Sequence, residues 1–161
     1  MIDADMSRAS LLAELGDIAK TASLYMACQD MTEVHVPADG NCQFNAFILA
    51  SEGEPCATAD ALRAAVVCHL ETSDEWTLFL ELDGTLEEGK AAYLENMRRR
   101  RVWGDNFTLQ AMSELGNTRV VVRHLNGTIT VLGPDESAAS ATVFLKFDSQ
   151  RKHYSALSSL D

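Results

Sequence analysis

Apolar residues along this chain follow two kinds of spacing, and the change from one to the other divides its architecture. Leu11, Leu15, Ile18, Ala22 and Tyr25 recur at intervals of 4, 3, 4 and 3, the period of a helix with one apolar face. This predicts an N-terminal helix that covers part of the core. Its other face is mixed and not rich in Lys or Arg, unlike a helix that lies on a membrane. Glu33-Val34-His35-Val36 alternates as a short strand does. Pro37-Ala38-Asp39-Gly40-Asn41 is a turn-rich break. Cys42 then opens an apolar stretch, Phe44 to Ala50, that reads as a buried helix. Thr58 can cap a helix through Leu62, Val66 and Leu70, and Ser73 a short one containing Trp76 and Leu80. Thr85-Leu86-Glu87-Glu88 fits a capping box, with Glu88 reaching back to Thr85, ahead of a helix carrying Tyr93, Leu94 and Met97. That helix ends in Arg98-Arg99-Arg100-Arg101. Cations are favoured at a helix C-terminus, so the run reads as a solvated helix end, with a binding role as the alternative. Asp105 or Asn106 caps a further helix holding Leu109, Met112 and Leu115, which Gly116 stops.

Beyond Gly116 the period falls to two. Arg119 to Val122 and Thr128 to Val131 flank Asn126-Gly127, the signature of a hairpin turn in which both central residues take positive φ. Thr142 to Phe147 and His153 to Leu157 read as two more strands. Helices first and a largely antiparallel sheet afterwards give an α+β class. With 161 residues and no internal repeat or linker, the chain is expected to be one domain.

Composition narrows the function. A hydrophobic content of 47% and a charged content of 23% are those of an ordinary globular protein. No apolar run approaches the roughly 20 residues that cross a bilayer, and the acidic start Met1-Ile2-Asp3-Ala4-Asp5 is unlike a secretory signal. A net charge of −11 disfavours nucleic acid, whose phosphates need Lys and Arg, and suits a basic partner or peptide tail. The expected partners therefore include no nucleic acid and no membrane. Cys28, Cys42, Cys56 and Cys68 form no C-x-x-C pair. A domain of this size needs no disulfide staples, so a reducing, intracellular setting is expected, cytoplasmic or nuclear. Delivery into a host cell by a route not visible in the sequence is the alternative. Cys68-His69 is too little for a metal site; Cys68, at helical spacing from Ala61 and Ala65, reads as a small buried side chain.

Cys42 has the most specific surroundings of the four. It follows a glycine-containing loop and begins a helix, where free backbone N–H groups and the helix dipole stabilise a thiolate. The same N–H groups can receive the oxyanion formed when a thiolate attacks a carbonyl, and Gly40 lets the backbone turn its amides inward. Among the histidines, His35 alternates in a strand, His69 lies within a helix and His124 sits beside a turn. His153 opens a strand after the polar segment 148–152, so it is the base candidate.

Asp39-Gly40-Asn41-Cys42-Gln43-Phe44 resembles the D-G-N-C-x-F nucleophile signature of the ovarian-tumour (OTU) cysteine proteases. Tyr93, Met97, Trp103-Gly104-Asp105 and Thr108-Leu109-Gln110-Ala111 resemble the family's middle segment, and His153-Tyr154 its base motif. Order and spacing agree over roughly residues 33 to 157. The resemblance implies a papain-type fold with the sheet between helical layers, residues 31–161 forming the catalytic core and 1–30 an additional N-terminal helix. It implies a deubiquitinase that needs no cofactor and hydrolyses the bond after the C-terminal glycine of ubiquitin, polyubiquitin or a ubiquitin-like modifier; a monomer is expected. The alternatives are an OTU-like module that binds ubiquitin without cleaving it, and a protease that processes a polyprotein.

Carried over by the resemblance, Cys42 is the nucleophile, His153 the general base, and the backbone amides from Asp39 through Gly40 and Asn41 to Cys42 the oxyanion hole. Asp39 supports that loop through hydrogen bonds, as a turn residue bonding its own backbone also would. Trp103, Gly104 and Tyr154 are candidates for the walls of the groove that takes the ubiquitin tail, with core packing the competing reading of Trp103. The chain departs from the family at Ser155, where an Asn or Asp often orients the base. A serine hydroxyl can accept a bond from the imidazole but brings no negative charge. The third member is therefore Ser155, Asp39 or a further acid.

Overall fold

A computed structural model describes residues 4–80 and 84–159. Five helices and five strands follow in the order α1 (Ala4–Gln29), β1 (Met31–Val34), α2 (Cys42–Ala50), α3 (Ala59–Glu71), α4 (Leu86–Met97), α5 (Asn106–Gly116), β2 (Thr118–His124), β3 (Ile129–Leu132), β4 (Ala141–Asp148) and β5 (His153–Ser159), with a short 3-10 turn at Glu75–Phe79. The strands form one sheet in the order β1-β5-β4-β2-β3.

The main core lies between the sheet and α2, α3 and α5. Phe44 and Phe47 from α2, Leu62 and Val66 from α3, and Leu109 and Met112 from α5 meet Val120, Val122, Val143 and Leu145 from the central strands. Phe44, Phe47, Leu62 and Met112 are fully buried, each removing apolar surface worth about 1.5–3 kcal/mol. Strand alternation sends Val121, Phe144 and Leu157 to the other face, where Leu24, Cys28 and Met31 cover them.

The sheet is largely antiparallel, as expected: β1–β5, β5–β4 and β2–β3 are antiparallel, while β2 and β4 run parallel. The β2–β3 hairpin returns the chain to the end where β2 began. Segment 133–140 then crosses that end, held by Ser140 N–H to the Asn117 carbonyl (2.8 Å) and Asn117 Nδ2 to the Ala138 carbonyl (3.1 Å). A strand starting there beside β2 must run parallel to it.

Four finer expectations are corrected: the hairpin turn, the residues by which α1 covers the core, Cys68 and the Thr85 capping box. The hairpin itself is a three-residue loop, Leu125 to Gly127, with positive φ at Gly127 (86°) and not at Asn126. Asn126 Oδ1 instead accepts from the Thr128 N–H (3.0 Å), a local bond that an asparagine makes readily in a turn. The apolar stripe of α1 is largely uncovered, with Leu11, Leu15 and Ile18 all more than half exposed. A helix of 26 residues is about 39 Å long, longer than the sheet in either direction, so only its C-terminal end has anything to cover. Cys68 is exposed, because α3 turns its Leu62, Val66 and Leu70 face inward instead.

Of the capping box at Thr85, the bond from the Glu88 N–H to Thr85 Oγ1 forms (3.2 Å), and no return bond from the Glu88 side chain accompanies it. The full reciprocal box stands at Asp105, between its side chain and Thr108. The arginine run folds back along α3: Arg98 pairs with Glu71 and Arg100 with Asp60 (2.7 Å). No described helix is long and apolar enough to cross a membrane.

Candidate active site

The loop before α2 is fixed by its own side chains. Asp39 Oδ1 accepts from the Asn41 N–H (3.1 Å), so Asp39 takes the loop-holding place and removes one amide from those available to a substrate. Gly40 has φ of 86° and lies hard against the Arg101 carbonyl, which would sit 1.9 Å from any added Cβ. The Asn41 side chain turns inward, where its Oδ1 accepts from Arg63 Nη2 (2.7 Å) and the Arg101 N–H (3.3 Å). Asn41 therefore does not cap α2, whose first turn has no side-chain acceptor. Gln43 is also inward: its Nε2 donates to the Asp105 carbonyl (3.0 Å) and its Oε1 accepts from Thr108 Oγ1 (2.5 Å). Both neighbours of Cys42 are thus anchored to the segment 97–108, with Cys42 held between them at an uncapped helix N-terminus.

Strand β5 supplies the opposite side. The Tyr154 N–H donates to Cys42 Sγ (3.5 Å), a donor favourable to negative charge on the sulfur. His153 begins the strand, 7% exposed, and makes no side-chain hydrogen bond among the described residues. Asp148, its cross-strand partner, closes the turn into the strand by accepting from the N–H groups of Gln150 and Arg151 (3.0 and 3.1 Å).

Ser155 shares the strand face of His153, two residues on. Its hydroxyl donates to Glu33 Oε1 (2.8 Å), while Glu33 Oε2 accepts from Lys146 Nζ (2.8 Å). Partial burial works against the charge of Glu33, yet the bonds from Lys146 and Ser155 hold its carboxyl below the usual range. Sequence reasoning did not single out Glu33. Its one sequence signal is its place in an alternating strand, and the pairing of β1 with β5 is what carries it to Ser155.

A groove of about 420 Å³ runs past the thiol, lined by Cys42, Trp103, Gly104, Asp105, Phe147 and Tyr154 among others. Trp103 is 55% exposed, so it belongs to the groove rim and not to the core. Lys152 Nζ lies 5.9 Å from its ring centroid. The Tyr154 ring packs on Phe147 (centroids 4.5 Å apart), and burial pushes its phenol up, so it stays neutral. An added Cβ at Gly104 would meet Gln43 Oε1, so a side chain there requires the anchored glutamine to shift. Among the described residues no group of His, Cys, Asp and Glu is arranged to hold a metal. A thiol at a helix N-terminus, with a histidine-led strand beside it and an open groove in front, is suited to attack on a carbonyl.

No protein-family model matches the chain. OVARIAN TUMOR DOMAIN-containing deubiquitinating enzyme 10 of Arabidopsis thaliana is 31% identical over 134 residues, covering 80% of this chain and 35% of that protein. The OTU domain of OTUD1 matches with a TM-score of 0.65 at 21% identity, over 89% of this chain and 94% of that one. The chain is an OTU domain. An OTU deubiquitinase from Wolbachia pipientis wMel, in a structure bound to ubiquitin, has a TM-score of 0.57 at 17% identity over 83% of this OTU domain and 97% of that chain. The present OTU domain spans about a third of the length of the Arabidopsis protein.

Proposed function

We propose that this OTU domain is a cysteine deubiquitinase that hydrolyses the bond after the C-terminal glycine of ubiquitin or polyubiquitin, with residues 31–161 as its catalytic core. The observation that carries the reading is Cys42 at the uncapped start of α2, facing a groove and receiving the Tyr154 N–H. His153 takes the thiol proton and the thiolate attacks the glycine carbonyl. The Gly40 and Cys42 N–H groups, neither engaged by Asp39, receive the oxyanion. Protonated His153 gives its proton to the leaving lysine amine. Water, deprotonated by His153, then breaks the thioester and frees the ubiquitin carboxylate. No cofactor enters the reaction. Trp103, Gly104 and Tyr154 form the walls for the extended tail, and the chain's acidity suits a basic one. The chemistry suits a reducing intracellular setting, cytoplasmic or nuclear, where the Cys42 thiol stays reduced.

Ubiquitin carrying a C-terminal electrophile tests the reading. Incubation followed by intact mass and peptide mapping is expected to give one adduct, on Cys42. An adduct on another cysteine, or none from a folded protein, rejects it.

The third member is Ser155, acting with Glu33. His153 makes no bond to Ser155 in this structure, but because the serine hydroxyl donates to Glu33, its oxygen stays available to the imidazole N–H once the ring turns toward it, and the carboxylate supplies the charge that serine lacks. Ser155→Ala and Glu33→Gln are each expected to lower kcat/KM by about tenfold, a fraction of the roughly 10²–10⁴ that positioned acid–base catalysis contributes. Ser155→Asn should keep activity. Steady-state kinetics with thermal melts check this, and full activity in both Ser155→Ala and Glu33→Gln would remove the pair from the mechanism.

A further inference from the structure

Arg63 is a charged side chain in the middle of the core, 3% exposed. Among the described residues no carboxylate accepts from it. Asp60, on the same helix, is paired with Arg100 instead. The guanidinium donates from Nη1 to the Met97 carbonyl (3.1 Å), and from Nη2 to the Val102 carbonyl (2.7 Å) and to Asn41 Oδ1 (2.7 Å). It also stacks 4.3 Å from the ring centroid of Phe44, in the first turn of α2. Among the described residues its Nε has no partner. Burying a cation without a counter-ion is costly, and an apolar side chain would fill the same volume more cheaply.

What the cation holds accounts for its presence. It joins α3 to the residue before Cys42 and to the segment that leads into Trp103 and Gly104. The peptide plane between Asn41 and Cys42 carries the Cys42 N–H, and an anchored Asn41 side chain fixes the orientation of that plane. Oxyanion donors act only when they lie about 2.7–3.1 Å from where the charge develops, and displacement by an ångström can cost about 10²-fold.

We propose that Arg63 is a positioning residue that sets the oxyanion donors of the nucleophile loop through its bond to Asn41. The role rests on the thiol-hydrolase reading above. It separates two chemistries at the same sulfur. Hydrolysis of an acyl bond needs the thiolate and the oxyanion donors, whereas alkylation by iodoacetamide, a displacement at a saturated carbon, needs the thiolate alone.

The test compares Arg63→Lys, Asn41→Ala and the double variant in hydrolysis of a fluorogenic ubiquitin C-terminal amide and in iodoacetamide labelling of Cys42. Lysine keeps the charge but cannot reach three acceptors with one planar fork. Each single variant is expected to lose at least about tenfold in kcat, with KM and the Cys42 alkylation rate within about twofold of wild type. The double variant should be no slower than the slower single, because both changes cut the same connection. If Arg63→Lys does not fold, Asn41→Ala, which leaves the two carbonyl bonds of Arg63 in place, decides. Undiminished turnover in the folded variants, losses that multiply in the double, or alkylation that falls in step with turnover each overturn the role. A wild-type protein that alkylates at Cys42 but never hydrolyses ubiquitin amides overturns the hydrolase reading and this role with it. Activity in the wild type with unaffected variants overturns this role alone.

Discussion

Cys42→Ala is expected to abolish cleavage of a ubiquitin conjugate while the protein stays folded and still binds ubiquitin. The loss should be on the order of 10⁴-fold or more, since no other group in the groove can form the acyl intermediate. Stability should change little. Cys42 is 8% exposed and packs at the margin of the main core, and the change to alanine removes one sulfur atom beside an open groove. That amounts to about 1 kcal/mol, near the contribution of one buried methylene. Cleavage of di-ubiquitin followed on a gel, with a thermal melt and a binding titration on the same sample, measures all three quantities. Cys28→Ala, Cys56→Ala and Cys68→Ala should each retain substantial activity, because none of these residues lines the groove. Near-normal turnover by Cys42→Ala would defeat the enzymatic reading.

Gly40→Ala should damage both stability and turnover. At φ of 86° a residue with a Cβ is strained by about 1–2 kcal/mol. Here the Cβ would also sit 1.9 Å from the Arg101 carbonyl oxygen and 2.6 Å from its carbon, so two backbone segments must separate. A combined cost of about 3 kcal/mol lowers the melting temperature by roughly 6–12 °C in a domain of this size. The displaced loop carries the oxyanion donors, so kcat should fall about 10²-fold. Gly53→Ala separates strain from collision. Gly53 has nearly the same φ, 85°, but nothing within 4 Å of an added Cβ. It should show the conformational cost alone and unchanged kcat. Equal effects of the two substitutions would mean that the Arg101 contact is immaterial.

Helix period and the ends of α2, α3 and α5 were legible in the sequence because each is set within a few residues: Thr58 accepts from the Ala61 N–H, and Asp105 from those of Phe107 and Thr108. The turn before α2 was legible for the same reason, since Asp39 bonds the Asn41 N–H two residues on. What lay hidden depends on distant pairing. The parallel β2–β4 pair follows from a crossing connection, and the partnership of Glu33 with Ser155 follows from β1 joining the far edge of β5. Arg63 gave no sign beyond a charge within an apolar helix, because its partners at Asn41, Met97 and Val102 come from other parts of the chain. The α1 helix covers part of the core through Leu24 and Cys28 and not through Leu11, Leu15 and Ile18, because periodicity reports that a helix has an apolar face and says nothing of what faces it.

The anchoring of Asn41 and Gln43 on either side of the thiol has a consequence for when the site comes into being. Residue 41 is tied to residues 63 and 101, residue 43 to residues 105 and 108, and the sulfur to residue 154. Closing such long loops is slow relative to forming local helices, so these bonds are expected to form late as the chain collapses. On the proposed function, a half-folded chain, as on the ribosome before β5 has emerged, carries the cysteine without the oxyanion geometry that hydrolysis needs. Hydrolysis would then be a property of the finished fold, withheld from an immature or nicked molecule.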